Sequence, residues 1–478
     1  MVAVDVGRAG ELVAALASAG RDLESAAQAA RHHLHAVGEP SGAPALVEDV
    51  AAWTRRTGSE LASRTEQVVH LDTVAVSRVG GLGAAGRPGV AAPAGGATDG
   101  EEGRFHLDVR GVGDLDHLFL QLAAVGVLDR CPPPGDVPGR ARLFATLPAD
   151  LVDGLTRQAP AAIGGADGVP FALRDRANRL LLAREIARLE GLGSTASVAD
   201  RRLLRDLRTW QRDTDLMVVK LDAARGRVVL ARGDLDRATH VAVLVPGAGL
   251  TIEELSRRHL GWLDGLHARM GDHGGPGRAG VVLWLDYDSP AQLVPQAVRR
   301  QAATDAATRL PAFLEGIAGV ERELVTTLGH SYGSVVLGRS LADHPGRLAT
   351  DQVVALGSPG MGVQLSRHLH LREDQRLYAA TLAGDPIAHV GQWNPLVGEA
   401  GRAVHGPDPR RLGVARTIEL STHDLPDADP LQRHMQYLEE GSSALGVLAG
   451  LASGRTASGA PGRGRPGPPA PGHRVPAG

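Results

Sequence analysis

The chain has 478 residues, 43% apolar and 22% charged, enough for a sizeable core and incompatible with global disorder. A formal net charge of −3 argues against a nucleic-acid-binding protein, and the single cysteine, Cys131, excludes an intrachain disulfide or a zinc site built from several cysteines. No apolar run approaches the ~18 residues of a membrane span, and Met1 to Arg21 lacks the basic-then-apolar pattern of a signal peptide. The expected compartment is therefore the cytoplasm, with signal-less export left open. The 62 glycines and 30 prolines exceed their usual combined share of ~12%. Lys220 is the only lysine among 51 basic residues, a bias of GC-rich coding rather than of function.

Residues 1–75 read as a helical hairpin. Leu12, Leu16, Ala19, Leu23, Ala27, Ala30 and Leu34 recur at spacings of three and four. Leu46, Val50, Trp53, Leu61 and Val68 follow more loosely, and Gly38, Pro40, Ser41 and Gly42 break the pattern between them. So thin an element needs cover, which makes helices 5–70 a candidate surface for self-association or a protein partner. Residues 76–103 form a flexible Gly/Pro linker. Residues 104–215 open with the alternating run Phe105, Leu107 and Val109. They become mostly helical, with Leu151, Leu155, Leu173, Leu180, Leu181 and Leu189 as apolar markers, and would brace or cover the domain that follows.

Between 216 and 450 the pattern changes to short apolar runs alternating with helical stretches. The runs are Val228–Ala231, Val241–Val245, Val281–Leu285, Glu323–Leu328, Val353–Leu356, Leu377–Leu382 and Thr417–Leu420. Continuous apolar strands separated by helices predict an α/β fold with a mainly parallel sheet covered on both faces. Residues 451–478, rich in Gly, Pro and Arg, predict a disordered tail.

One stretch carries chemistry. Leu324 to Leu328 predicts a strand, Gly329-His330-Ser331-Tyr332-Gly333 has the G-x-S-x-G form, and a helical pattern follows. This is the context of a nucleophile elbow, in which a serine occupies a strained turn and the helix N-terminus faces a developing oxyanion. The acid expected next in chain order is Asp385, in Gly384-Asp385-Pro386 at the carboxyl end of a predicted strand; Asp-Pro is also a common turn. Two histidines compete for the base. His423 directly follows the last predicted strand, and His434 opens His434-Met435-Gln436-Tyr437. His330 is too close to Ser331 to act as base and is expected to pack behind it; His389 and His405 read as ordinary loop residues. The N–H of Tyr332 is the expected first oxyanion donor. The loop Pro246-Gly247-Ala248-Gly249 supplies the second, Ala248 first and Gly249 next, with Gly247 and Gly249 letting backbone approach a substrate. In Trp284 to Pro290, Tyr287 is a candidate pocket-lining residue and Asp288 a candidate helix cap.

These residues resemble an actinobacterial α/β-hydrolase family long catalogued as a domain of unknown function. The resemblance covers roughly 145–450. It rests on Asp167 to Pro170, Arg174 to Arg179, Gly233 to Asp236, Val241 to Gly249, Trp284 to Pro290, Gly329 to Ser334, Gly357 to Gly360, Gly384 to Pro386 and His434 to Tyr437. It implies an α/β-hydrolase fold preceded by the helical hairpin, with His434 as base, although Met435 stands where the family usually has serine. The hairpin is similar in pattern to small proteins of type VII secretion, without their Trp-x-Gly turn. The expected activity is hydrolysis of a small-molecule carboxylic ester or amide through an acyl-enzyme on Ser331, with no metal or organic cofactor. The alternative is a non-catalytic binding or scaffold protein that retains the fold and docks through its hairpin, in a type VII-like secretion setting.

Overall fold

A computed structural model describes residues 114–455, apart from 125–126, 129–130, 253–254, 256, 276, 290–299 and 388–404. The chain divides into two compact units, 1–104 and 105–478, and every described residue belongs to the second. The expected hairpin, linker, alternating run at Phe105 and terminal tail lie outside the described residues.

Eight strands form one sheet: β1 (Leu216–Asp222), β2 (Arg227–Arg232), β3 (His240–Val245), β4 (Ala279–Leu285), β5 (Leu324–His330), β6 (Gln352–Leu356), β7 (Arg376–Leu382) and β8 (Ala415–Leu420). Their order is β1-β2-β4-β3-β5-β6-β7-β8. β2 runs antiparallel to both β1 and β4, and every other pairing is parallel. The seven expected strands are all present, each within three residues of its expected ends. β1 is additional. Lys220 and Asp222 interrupt its apolar residues because an edge strand keeps part of one face toward solvent.

Helices α1 (Leu115–Ala124), α2 (Val137–Phe144), α3 (Ala149–Gln158), α4 (Pro160–Gly165), α5 (Phe171–Gly191) and α6 (Val198–Arg212) precede the sheet. They are followed by α7 (Arg257–Gly274), α8 (Arg300–Ala318), α9 (Tyr332–Asp343), α10 (Pro430–Arg433) and α11 (Ser443–Ala452). The chain steps from β3 to β4 in one direction along the sheet, then from β4 past β3 to β5 and on to β6 in the other. Right-handed crossovers therefore put α7 on one face and α8 and α9 on the opposite face. β3 is the strand at which the direction reverses. In sheets of this kind ligands bind outside the carboxyl ends of the strands at that reversal. The loop after β3 and the turn after β5 meet there.

The residues before the sheet fasten onto its β1 side. The Asp236 carboxylate accepts the Phe171 and Ala172 N–H groups at 2.9 and 2.8 Å, closing the exposed first turn of α5. Asp175 accepts the Val218 N–H at 2.7 Å, and buried Arg174 donates to the Val219 carbonyl at 3.1 Å and to Asp167 at 2.9 Å. Asn178 donates to the Gly164 carbonyl, tying α5 to α4. A separate apolar cluster of Leu118, Phe119, Leu122, Phe144, Leu155 and Ile163 fills the space among α1–α4.

A close approach fixes α9 over its neighbour. A Cβ at Gly338 would lie 1.8 Å from the Met361 carbonyl oxygen, whereas Gly271 on α7 faces open space. Gly338→Ala should therefore cost about 1–3 kcal/mol, and Gly271→Ala should gain about 0.5–1 kcal/mol from helix propensity. Denaturant unfolding of the two variants checks both signs.

Candidate active site

Ser331 is one of two described non-glycine residues with positive φ, at φ +53° and ψ −121°. It stands between the end of β5 and the first turn of α9, and its N–H donates to the Leu356 carbonyl of β6 at 2.8 Å. The turn closes only because its flanks lack side chains. A Cβ at Gly333 would sit 2.1 Å from the Val245 carbonyl oxygen, and one at Gly329 would sit 2.7 Å from Gly333 backbone. The Ser334 hydroxyl donates to the Ser331 carbonyl at 2.6 Å and lies 2.7 Å from the Ser358 hydroxyl, which accepts the Gly360 N–H at 3.1 Å. The Gly357-Ser358-Pro359-Gly360 segment thus anchors the turn from β6.

Asp385 follows β7 and is fully buried. His434 Nδ1–H donates to both its oxygens, at 3.0 and 2.9 Å, the Tyr437 hydroxyl donates at 2.6 Å, and the Ile387 N–H at 2.9 Å. Burial by itself would raise the Asp385 pKa. The hydrogen bond and charge of His434, with the Tyr437 and Ile387 donors, outweigh it and hold the carboxyl below its ordinary range. Tyr437 in turn accepts the Leu382 N–H at 3.1 Å, and burial beside the Asp385 charge pushes its own pKa well up. Gly357 leaves room for the pair: a Cβ there would meet the Asp385 carboxylate at 2.7 Å and the His434 ring at 3.0 Å.

With Nδ1 committed to Asp385, His434 Nε2 is the acceptor nitrogen. It is buried and has no hydrogen-bond partner among the described residues. His434 and Ser331 line the same cavity of about 250 Å³, together with Gly247, Ala248, Gly249, Leu250, His259, Trp262, His330 and Met435. His330 packs behind the pair. Its Nε2–H donates to the His434 carbonyl at 2.8 Å, and its ring lies tilted against that of His434 at 4.7 Å and meets Trp262 edge-on at 5.5 Å. Burial, with the neighbouring His434 charge, pushes the His330 pKa down to about 3.

Gly247 faces the serine directly. A Cβ there would lie 2.8 Å from Ser331 Cβ and 3.4 Å from Oγ. Gly249 adopts φ +83° and, with Ala248, lines the cavity. Tyr332 begins α9; its side chain points away from the cavity, where its hydroxyl accepts the Ala303 N–H at 3.1 Å and burial pushes its pKa up to about 12.

Two expectations, for Tyr287 and His405, need correction. Tyr287 does not line the cavity. Its ring stacks on Trp284 at 6.0 Å and its hydroxyl reaches back under the β3 loop to the Pro246 carbonyl at 2.7 Å. Asp288 is paired with Arg227 at 2.9 Å; the helix start near Pro290 that it was expected to cap lies outside the described residues. His405 is buried and lies edge-on to Tyr332 at 6.3 Å rather than being a loose loop residue. Of the two competing histidines, His423 is exposed and bonded to Ser421, whereas His434 bonds Asp385. His389 lies outside the described residues. Tyr437, Ser358 and Ser334 carry contacts for which the sequence offered only motif membership.

Among the described residues no group of three or more His, Cys, Asp or Glu side chains could hold a metal ion, and no helix is long and apolar enough to cross a membrane. Tyr437→Phe removes one charge-assisted donor from Asp385 and should cost about 1.5–3 kcal/mol at pH 7. Because the folded Asp385 pKa is lowered, the stability it contributes is complete above the ordinary carboxylate value near ~4 and is lost as pH falls through the folded value. The deficit of the variant should therefore shrink on acidification, which denaturant unfolding at pH 7 and pH 3 measures.

A family model described as alpha/beta hydrolase matches residues 222–395. An uncharacterized protein of Mycobacterium tuberculosis strain H37Rv is 26% identical over 383 residues, covering 68% of this chain and 56% of its own length. An uncharacterized protein of Mycobacterium bovis is 30% identical over 244 residues, covering 47% of this chain and 88% of its own length. The chain thus spans little more than half of the longer relative. Among solved structures, a hormone-sensitive lipase from a metagenome library is 12% identical with a TM-score of 0.32, covering 57% of this chain and 98% of that one. An esterase of Pyrobaculum calidifontis is 15% identical with a TM-score of 0.29, covering 68% and 98%. With its sheet order, its elbow and a mycobacterial relative matched over nearly that relative's whole length, the chain belongs to an actinobacterial family of α/β hydrolases.

Proposed function

We propose that the chain is a serine hydrolase that cleaves a carboxylic ester or amide through an acyl-enzyme on Ser331. The observation that carries this reading is the shared cavity: Ser331, strained into the elbow, and His434, bonded to Asp385 through Nδ1, with its Nε2 otherwise unpartnered among the described residues. His434 Nε2 takes the Ser331 proton as Oγ attacks the carbonyl carbon. Asp385 keeps the imidazole in the tautomer that leaves Nε2 free and stabilises the imidazolium. The Tyr332 and Ala248 N–H groups receive the oxyanion. His434 then protonates the leaving group, and a water activated in the same way releases the acid. His330 is neutral throughout because its pKa lies near 3, so it lies against the forming imidazolium without adding a like charge.

The acyl group that suits this site is uncharged. Leu250, Trp262 and Met435 line the cavity, and no Asp, Glu, Lys or Arg is among its described lining residues. Burial and the Arg258 charge also push His259 down to about 4, so it offers no cation at neutral pH.

A fluorophosphonate probe should label the wild type at Ser331. Labelling should vanish in Ser331→Ala, fall by about 10³-fold or more in His434→Ala and persist in His423→Ala. An unlabelled wild type overturns the reading, and loss of labelling in His423→Ala but not in His434→Ala overturns the choice of base. With p-nitrophenyl butyrate against its succinate half-ester analogue, kcat/KM should favour the uncharged ester by about 10-fold or more, since a carboxylate would enter the cavity unpaired.

A further inference from the structure

The loop after β3 is held from behind by two hydroxyls. The Tyr287 hydroxyl donates to the Pro246 carbonyl at 2.7 Å, with the Gly247 carbonyl at 3.4 Å, and the Ser289 hydroxyl donates to the Gly247 carbonyl at 3.1 Å. Tyr287 is fixed itself: it is buried, stacked nearly parallel on Trp284, and burial pushes its pKa far above that of a free phenol. The hydroxyl is therefore a permanent donor.

Peptide geometry makes this grip directional. The described peptide bonds are all trans, and in a trans peptide the C=O and the N–H point in opposite directions. The Pro246 carbonyl shares its plane with the Gly247 N–H, and the Gly247 carbonyl shares its plane with the Ala248 N–H. Drawing both carbonyls toward Tyr287 and Ser289 turns both N–H groups the other way. Gly247 lies against Ser331, and Gly247 and Ala248 line the cavity.

We propose that Tyr287 and Ser289 are positioning residues for the oxyanion site, clamping the 246–248 peptides so that the Ala248 N–H, with that of Gly247 beside it, stays aimed at the oxygen developing beside Ser331. The proposal rests on the serine-hydrolase reading and adds the part that holds its second donor. A glycine-flanked peptide rotates easily, and each rotation would aim a carbonyl dipole where negative charge forms. A fixed donor costs no reorganisation when the charge appears, which is the source of its catalytic value. Tyr287 and Ser289 touch neither substrate nor nucleophile; they act only through the loop.

The rate at which a fluorophosphonate labels Ser331 tests the clamp without a known substrate. In that reaction the Ser331 Oγ–P bond forms, the P–F bond breaks, fluoride leaves, and the serine proton passes to His434, while the phosphoryl oxygen occupies the oxyanion site. Tyr287→Phe keeps the stack on Trp284 and deletes one hydroxyl; Ser289→Ala deletes the other; Ser289→Thr restores it. Each deletion should slow labelling by about 10-fold or more, the pair together approaching the 10²–10³-fold cost of losing one donor, and Ser289→Thr should recover most of the rate. For any ester the wild type turns over, kcat should fall while KM changes less than about twofold. Wild-type labelling matched by both Tyr287→Phe and Ser289→Ala overturns the clamp alone. Absence of wild-type labelling overturns the nucleophile assignment, and the clamp falls with it. If Tyr287→Phe does not fold, the Ser289→Ala and Ser289→Thr pair decides.

Discussion

The backbone of Ser331 is held at φ +53° and ψ −121°, a region that costs a residue with a side chain roughly 1–3 kcal/mol. Such a conformation persists only where the surroundings over-determine it. Here β5 feeds it from one side, α9 leaves it on the other, β6 accepts its N–H, and the Ser334–Ser358 pair grips its carbonyl. Gly329 and Gly333 make the closure sterically possible. The sheet order, the crossover handedness and the glycine placement all converge on the Ser331 hydroxyl at the switch point.

The second half of the site is arranged around a buried charge. Asp385 has no exposure, so an unpaired carboxylate there would be costly. Three donors from two segments satisfy it: the backbone just after it, the imidazole of His434 and the hydroxyl of Tyr437. Because His434 and Tyr437 are three residues apart, one short turn delivers both groups. The imidazole cannot rotate without breaking two bonds, and His330 lies tilted against it. The imidazole is thereby oriented by packing as well as by charge.

Much of this was legible in the sequence because the relevant signals are local. A strand, two glycines around Ser331 and a helix must lie side by side in the chain to make the turn, and Asp385 sits just past a continuous apolar strand. Less was legible where the decisive contact spans distant segments. Position after β8 favoured His423 and the family resemblance favoured His434; the bond to Asp385 is made by His434. Tyr287 looked like a rim aromatic because it follows a strand that ends at the rim; its stack on Trp284 turns it underneath instead. Tyr437 gave no sign of its acid partner, since a separation of 52 positions along the chain hides the contact. β1 escaped notice because edge strands mix polar residues into their apolar pattern. The Arg174 to Arg179 stretch carried part of the family resemblance but no role; it fastens α5 to β1, and α5 is absent from the described lining of the cavity.

The order of the three groups along the chain also bears on biosynthesis. Ser331 and the strands that strain it are translated well before His434 and Tyr437, which follow the last strand. Domains fold as units during synthesis, so the sheet that strains Ser331 and the turn that carries His434 belong to one folding event. A chain halted between β8 and α10 would leave Asp385 without its imidazole and phenol partners. Chemical competence and the burial of that carboxylate would thus arrive together, in one of the last described segments to be made.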